Sequence, residues 1–312
     1  MLRFAKLAKH PRKLYRMTGL TLAQFQMLTT RLTPLWGQAE HERLSRRKRR
    51  HAIGQGRKYK LATMADKLVC LLAFYRFALT DELLGWLVGL DASTVCRLQQ
   101  RLEPLVEQAA DPTLGLSLRR RLPPGVKKIG TVEKLLEVCP EFAEIITDAT
   151  EQQRQRPPKR TQRRWYSGKR KRHTIKTQIS VNQAGRILLV SDSVPGRVHD
   201  YRLFQRERTA ERVPRAAPHA VDLGYDGAVT DYPACHVLVP VKRRRNHRLL
   251  TRAQRAFNRL HARRRIIVEH VLCRMKHYQI LVQVYRHRIA DYNRRFRNIA
   301  ALVNFRLATA VA

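Results

Sequence analysis

Residues 265–276, RIIVEHVLCRMK, carry the clearest helical pattern in the second half of this chain. On an α-helix, positions separated by four, three and four residues fall within one narrow stripe. The positions on that stripe are Arg265, Glu269, Leu272 and Lys276. The positions on a different face, which we expect to be buried, are Ile267, Val268, Val271, Met275 and Tyr278. The helix therefore presents an acid flanked by two bases, a stripe that on its own is typical of a solvated salt-bridge face.

The 312-residue chain is strongly basic, with 63 Lys and Arg residues against 24 Asp and Glu residues and a net charge of +39. A compact chain with this charge repels itself, so we expect a polyanionic partner held by phosphate contacts and counterion release. An anionic membrane is the rival partner. The longest apolar run, at 68–74, has about seven residues and is too short to span a bilayer, so we expect no membrane partner.

The cysteines favour a reduced, intracellular protein. They are odd in number and widely spaced: Cys70, Cys96, Cys139, Cys235 and Cys273. Because the sequence has no Cys-x-x-Cys pair, neither a structural zinc ribbon nor a disulfide framework is expected. The first basic residues are not followed by the apolar segment of a secretion signal.

Residues 1–63 are predicted to form a basic arm with short helices, and residues 46–50 are a run of five basic side chains. Such a run is either a disordered tail or a phosphate-contacting arm, and the two interpretations are compatible because such arms often order on nucleic acid.

Residues 64–105 carry three helical patterns in succession. Thr80 is placed to cap the second helix and Gly89 to end it. The third helix is expected to end before Pro104. Two helices joined by a tight turn that contains glycine resemble a helix-turn-helix, and a plain helical bundle is the alternative.

In the helix-turn-helix interpretation, Ser93, Arg97 and Gln100 face outward from the third helix, where base or phosphate contacts lie. Residues 106–140, which follow, are interpreted as a linker between domains.

From residue 141 the pattern changes to short apolar runs separated by turns, which is typical of strands. We expect strands at 143–147, 174–181, 186–193, 219–221 and 236–241, and helices at 196–204, 265–276 and about 290–307. This order resembles a ribonuclease H-like α/β domain over residues 141–312, with a mixed five-stranded sheet. In that topology the first and fourth strands are neighbours.

Three acids are placed to form a site in this domain. Asp148 and Asp222 each follow a predicted strand, at the edge where open α/β sheets build their sites, and Glu269 lies on a covering helix. Three close carboxylates repel one another unless a divalent cation is bound. All-oxygen ligands favour Mg²⁺ or Mn²⁺ over zinc, and two such ions can support phosphodiester cleavage.

Other residues are weaker candidates for metal ligands. The acids closest to these segments are expected to have structural or supporting roles: Asp192, Asp200 and Asp226. A zinc site on the helix is disfavoured because no fourth ligand is evident beside its three candidates: His270, Cys273 and His277.

Several segments together resemble a known family. They are TDATE (147–151), QRP (155–157), YSGKRKRHTIK (166–176), GRVHD (196–200) and DLGYDG (222–227), followed by Arg265, Glu269 and Lys276 at their stated spacing. In this order they resemble the DDE transposases of bacterial insertion sequences, in the branch with a Y-(2)-R-(3)-E-(6)-K signature. The position of the signature's tyrosine is Ala262 here, which departs from the family pattern.

The resemblance implies that Asp148, Asp222 and Glu269 are catalytic and bind Mg²⁺ or Mn²⁺, with two ions in each active site. Arg265 and Lys276 would orient the acid and contact DNA. Further candidates for supporting catalysis or contacting DNA are His199, Lys169, Lys171, His173 and Lys176. The run at 169–172 has a solvated charge run as its alternative interpretation.

The implied function is a transposase that binds the terminal inverted repeats of its own element, cuts double-stranded DNA, and joins the freed 3′-hydroxyl to target DNA. Such a protein is expected to act as a homodimer or larger assembly in the bacterial cytoplasm, associated with the nucleoid. The alternatives are a transposon-derived nuclease without strand transfer and a catalytically inert DNA-binding regulator.

Overall fold

A computed structural model describes residues 1–46, 59–115, 132–243 and 249–310 of the protein. Its contacts divide the chain into two units. The helical unit comprises Met1–Pro112, Lys276–Gln283 and Ile289–Ala312, and the sheet unit comprises Thr113–Met275 and Val284–Arg288. Residues 47–50 of the predicted basic arm and residues 116–131 of the predicted linker lie outside the described residues.

The described residues contain helices and strands in the following order. The helices are α1 (Phe4–Ala8), α2 (Pro11–Thr18), α3 (Leu22–Ser45), α4 (Met64–Phe77), α5 (Asp81–Val88), α6 (Ala92–Ala110), α7 (Val132–Val138), α8 (Gln162–Trp165), α9 (Asp200–Arg206), α10 (Ala228–Asp231), α11 (Arg252–Lys276) and α12 (Ile289–Ala308). The strands are β1 (Ile145–Gln153), β2 (Tyr166–Ser167), β3 (Arg172–Asn182), β4 (Ile187–Val190), β5 (Val194–Pro195), β6 (His219–Ala220) and β7 (Val237–Leu238).

The caps in the helical unit follow the sequence signals. The Thr80 hydroxyl accepts a hydrogen bond from the Leu83 amide, which starts α5 as predicted. Gly89 ends α5 in the left-handed conformation, with φ +74°, which glycine adopts without the clash of a Cβ. Thr21 and Gln24 form a reciprocal capping box at the start of α3.

Helix α6 is longer than predicted, because it continues through Pro104 to Ala110 instead of ending before the proline. A proline inside a helix removes one backbone hydrogen bond and crowds the preceding turn. The extra turns bury Val106, Ala109 and Ala110, and this burial offsets that cost.

Helix α12 packs against α6 within the helical unit, so the contacts assign it differently from the expected division, which put all of 141–312 in one domain. The Arg295 side chain donates to the Glu103 carboxylate at 2.8 Å, and Arg294 lies 3.3 Å from the same carboxylate. Glu103 is only 1% exposed. A carboxylate buried this deeply is stabilised only because cations pair with it.

The sheet unit contains a mixed seven-stranded sheet among the described residues, rather than the five strands expected. The central order is β2-β3-β1-β6-β7, and β4 and β5 also pair with β3. Strands β1 and β6 are parallel neighbours, which confirms the expected adjacency of the first and fourth predicted strands. The predicted strand at 186–193 is divided into β4 and β5.

Asp148 does not lie at the end of its strand, as the sequence suggested, but inside β1. Strand β1 continues to Gln153 because β3 is long enough to pair with it from Asn182 back to Thr174. Asp222 does follow its strand, two residues after the end of β6.

The pairing of β1 with β6 buries a histidine among polar neighbours. The His219 Nε2 atom and the Ser180 hydroxyl each lie 2.7 Å from the Thr147 hydroxyl. Burial lowers the pKa of His219 from its ordinary value of 6.5 to about 4. His219 is therefore neutral in the folded protein at neutral pH.

No helix among the residues described is long and apolar enough to cross a bilayer.

We predict that replacing Glu103 with Gln lowers the free energy of unfolding by about 3 kcal/mol, because it removes the buried carboxylate that pairs with Arg295. The matched control is Glu107→Gln, since Glu107 pairs with Arg297 on the same two helices but is more exposed. That control should cost less than about 1 kcal/mol. Urea unfolding measures both values, and equal losses would contradict the importance of burial.

We predict that stability falls as the pH drops from 6.5 towards 4, because the unfolded chain binds a proton at His219 before the folded chain does. The full loss from this residue is about 3 kcal/mol below pH 4. His219→Gln should remove this part of the pH dependence. His236→Gln, at an exposed histidine, should keep it. Unfolding titrations at several pH values measure the difference.

Candidate active site

Asp148 and Asp222 converge on the guanidinium group of Arg265. The Arg265 Nη1 atom donates to Asp222 Oδ1 at 2.9 Å, and Nη2 lies 3.5 Å from Asp148 Oδ2. The parallel pairing of β1 with β6 brings the two aspartates to the same region of the sheet. The structure thus places two predicted catalytic acids and the predicted supporting arginine together.

Helix α11 holds Arg265 over the sheet through polar contacts to the residues around β7. The Asn258 side chain bonds to both the amide and the carbonyl group of Val241. One turn later, His261 Nε2 donates to the Leu238 carbonyl oxygen at 3.0 Å. Arg265 follows His261 by four residues and so lies on the same helical face. Sequence reasoning missed Asn258 and His261, which look like ordinary polar residues of a basic helix.

The environment of Asp148 disfavours its charged form. Burial raises the pKa of Asp148, and the charge of Arg265 opposes this rise. The negative charges of Asp222 and Asp200 raise the pKa further. The charges of two other acids therefore act on Asp148.

Lys176 is buried, and its ammonium group contacts oxygen atoms of three residues. It lies 2.6 Å from Asp200 Oδ1 and 3.4 Å from Glu151 Oε1, and it donates to the Val198 carbonyl oxygen at 2.5 Å. These contacts join β1, β3 and the start of α9. The charge of Lys176 is therefore paired inside the fold, and its role in supporting catalysis or contacting DNA stays a prediction. The contact with Asp200 fits a supporting role.

The acid pair fits a divalent metal ion. Its donors are carboxylate oxygens, the preferred ligands of hard cations, and two of them already share one positive group. Glu269 lies one turn beyond Arg265 on α11 and is exposed. In the part of the chain that the structure describes, no group of three or more His, Cys, Asp and Glu side chains is placed to hold a metal ion. The participation of Glu269 stays a prediction.

The predicted DNA-contacting residues lie in several places. Lys169 and Lys171 are exposed in the turn between β2 and β3, next to His173. His199 caps α9 by accepting a hydrogen bond from the Tyr201 amide at 3.3 Å. Lys276 is exposed at the end of α11.

The outward-facing residues predicted on the third helix of the helical unit are all exposed on α6. They are Ser93, Arg97 and Gln100. Their exposure leaves them accessible to a partner.

A basic cavity of about 520 Å³ adjoins the turn between β2 and β3. It is lined by Arg156, Gln162, Arg163, Tyr166, His173 and Arg197. Of these, only His173 was a predicted site residue. Sequence reasoning missed the three arginines because they come from separate segments of the chain, although Arg156 and Arg197 lie within the QRP and GRVHD segments.

Residues 147–304 match a family model described as DDE superfamily endonuclease. The chain is also 30% identical over 253 residues to the probable transposase for insertion sequence element IS702 of Microchaete diplosiphon. That alignment covers 81% of this chain and 84% of the relative. The chain belongs to the family of insertion-sequence DDE transposases. No solved structure matches this transposase.

Family membership relates the acid pair to a divalent metal ion and a DNA substrate. Members of the DDE superfamily are endonucleases that generally use divalent metal ions, and a transposase has DNA as its substrate. Asp148, Asp222 and Arg265 of this transposase all lie within the matched region.

Gly196 of the transposase follows β5, and its amide donates to the Thr174 carbonyl oxygen of β3 at 2.9 Å. A Cβ at this position would be 1.8 Å from the Thr174 hydroxyl oxygen, which itself donates to the Glu151 carboxylate at 2.6 Å. The absence of a side chain at Gly196 therefore lets the segment that carries His199 and Asp200 lie against the sheet.

We predict that Gly196→Ala destabilises the transposase by roughly 1–3 kcal/mol, because the added methyl group overpacks the contact with Thr174. Gly168→Ala is the matched control, since a Cβ there meets nothing within 4 Å. Thr174→Ala should partly rescue Gly196→Ala by removing the nearest oxygen. Thermal and urea unfolding of the four variants measure the effect, and an equal loss in the Gly168 control would refute this explanation.

Proposed function

We propose that this transposase binds the terminal inverted repeats of its element and catalyses metal-dependent DNA cleavage and strand transfer. The observation that carries the proposal is the convergence of Asp148 and Asp222 on one positive group. In a chain with net charge +39, the basic surface attracts DNA, whereas the acid pair provides a place for a cation.

In this proposal Asp148, Asp222 and Glu269 are the ligands of Mg²⁺ or Mn²⁺, two ions in each site. When bound, these ions supply Lewis-acid activation of the attacking oxygen and stabilisation of the leaving oxygen in an in-line displacement at phosphorus. Water attacks in the cleavage step, and the freed 3′-hydroxyl attacks in strand transfer. Both steps can use the same residues because both are displacements of the same kind.

The protein groups around the acids have distinct tasks in this mechanism. Arg265 compensates the charge of Asp148 and Asp222 and aims both carboxylates at one point. Lys176 fixes Asp200 at the start of α9 and so limits how the acids can move. Burial around Asp148 keeps its carboxylate poorly hydrated, which favours binding of a cation over binding of water.

DNA is held outside the acid site by exposed cations and polar residues. In the sheet unit, these are Lys169, Lys171 and the arginines of the basic cavity. In the helical unit, α5 and α6 act as a helix-turn-helix, with Ser93, Arg97 and Gln100 facing the DNA. Their phosphate contacts would position the duplex, and base contacts would select the repeat.

The proposal extends to assembly and fold class by analogy with the family. Two DNA ends must be held together for strand transfer, so we propose a homodimer or larger assembly on DNA. The sheet unit is proposed to be ribonuclease H-like, supported by the parallel β1–β6 pair. The proposed place of action is the bacterial nucleoid.

We predict that Asp148→Asn, Asp222→Asn and Glu269→Gln each reduce Mg²⁺-dependent cleavage of an inverted-repeat duplex by at least about a hundredfold, because each removes a charged ligand. Asp226→Asn is the matched control, an exposed acid four residues beyond Asp222. It should retain cleavage within about threefold. Gel-shift binding should be unchanged in all four variants.

Adding a target plasmid to the same reaction distinguishes a transposase from a nuclease and from an inert DNA-binding regulator. Insertion of the labelled repeat end into the plasmid supports the transposase. Cleavage without insertion would identify a nuclease. Sequence-specific binding without cleavage by the wild-type chain would identify an inert DNA-binding regulator.

A further inference from the structure

The helical unit contains a cavity of about 440 Å³ that is separate from the acid pair of the sheet unit. Residues from α3, α4, α6 and the segments before α4 and α6 line it: Trp36, Tyr59, Lys60, Leu61, Lys67, Leu90, Asp91, Thr94, Arg97, Leu98 and Arg101. We call it the aromatic–basic cavity. Its volume lies within the range of about 300–1,000 Å³ that is usual for small-ligand sites.

Lys67 is the buried cation of this cavity. Its side chain is on α4, and the residue is only 6% exposed. The ammonium group donates to the carbonyl oxygens of Ala62 at 3.0 Å and Thr63 at 3.4 Å. Among the described residues, no carboxylate lies within ion-pair distance of it. The carboxylates of Asp66 and Glu40 act on Lys67 only from beyond that distance. Its buried charge is therefore incompletely compensated, which favours an anionic ligand in the cavity.

Two aromatic rings face the same ammonium group. The Lys67 Nζ atom lies 5.7 Å from the centroid of the Trp36 ring and 5.9 Å from that of Tyr59. Both rings line the cavity and leave flat apolar surface beside the charge. Such a surface suits a planar ring, which can stack on an aromatic side chain.

Two arginines of α6 add positive charge to a wall that also contains the Asp91 carboxylate. Arg97 bonds to the hydroxyl groups of Ser93 and Thr94 and so keeps its full charge, and Arg101 lies 3.9 Å from Glu40. Arg97 is also one of the outward-facing residues of the proposed DNA-binding helix. The cavity therefore opens on the side of α6 that is proposed to face DNA.

We propose that the aromatic–basic cavity binds one unpaired nucleotide of the DNA substrate, with its phosphate on Lys67 and the two arginines and its base against Trp36 and Tyr59. This inference rests on the proposed DNA substrate. A paired base is stacked inside the duplex and cannot enter a side pocket, so the nucleotide must be extrahelical or at a strand end. The cavity thus recognises DNA whose end or flank is opened, and adds to duplex contacts made elsewhere.

The test is equilibrium binding of the full chain to two labelled DNAs of the same sequence, measured by fluorescence anisotropy without divalent metal. One DNA is a blunt duplex, and the other carries a single unpaired nucleotide at its end. The wild-type chain should bind the second DNA about tenfold more tightly, the effect of stacking one base. Equal binding of the two DNAs would overturn the proposal.

Substitutions in the cavity test whether it causes the preference for the DNA with an unpaired nucleotide. Lys67→Met and Trp36→Leu should abolish it while leaving affinity for the blunt duplex within about twofold of wild type. Tyr59→Leu, at an exposed position, should weaken the preference. It keeps the test valid if the substitution of the buried Lys67 or the half-buried Trp36 prevents folding. The matched controls are Trp86→Leu and Lys13→Met, at exposed residues of the same unit outside this cavity, and both should keep the preference. A preference that survives in the folded cavity variants would contradict the assignment.

Two further outcomes of the binding experiment would each have a different meaning. If a free deoxynucleoside monophosphate binds as tightly as the unpaired-end DNA, the cavity serves a soluble nucleotide and the proposal is wrong. If neither DNA binds, the proposed DNA-binding function fails together with the proposal. Binding to both DNAs with equal affinity removes only the role of the cavity.

Discussion

The contact of one guanidinium group with two carboxylates is the interaction on which the proposed chemistry depends. Asp148 comes from the middle of β1 and Asp222 from the loop after β6, and their repulsion would separate them if no cation lay between them. Parallel pairing of β1 with β6 brings the two acids together, and α11 supplies the cation that makes this tolerable. Both the sheet and the covering helix are therefore needed before any site exists.

Among the described residues, three Lys and Arg side chains are buried, and their charges are compensated in two different ways. Arg295 is neutralised by the Glu103 carboxylate, and Lys176 by Asp200 with help from Glu151. Each of these groups is satisfied within the fold. Lys67 contacts two carbonyl oxygens and two ring faces, and the carboxylates of Asp66 and Glu40 act on it from beyond ion-pair distance. The partial charges of carbonyl oxygens and aromatic rings compensate a buried ammonium group less well than a carboxylate does. Of the three buried cations, Lys67 is therefore the one that a bound anion would stabilise most.

Sequence patterns predicted which strands and helices form the site better than they predicted where each one begins and ends. The resemblance of the predicted element order to a ribonuclease H-like domain implied that β1 and β6 are neighbours, and helical spacing placed Arg265 on α11. The extension of β1 beyond Asp148 could not be predicted, because the length of the partner β3 determines it. Likewise, periodicity shows that α12 has a buried face but does not show that α6 covers it. The aromatic–basic cavity was missed because its residues come from segments far apart in the sequence.

Arg265 neutralises only part of the negative charge of Asp148 and Asp222. The remaining charge favours binding of a divalent cation. The Arg265 contact with Asp148, at 3.5 Å, is longer than its contact with Asp222, at 2.9 Å. Asp148 is also the acid whose pKa is raised by burial. One unit of positive charge cannot balance two carboxylates, and the influence of Asp200 adds to the excess. A divalent cation would balance both carboxylates, and this charge balance supports the proposed metal site.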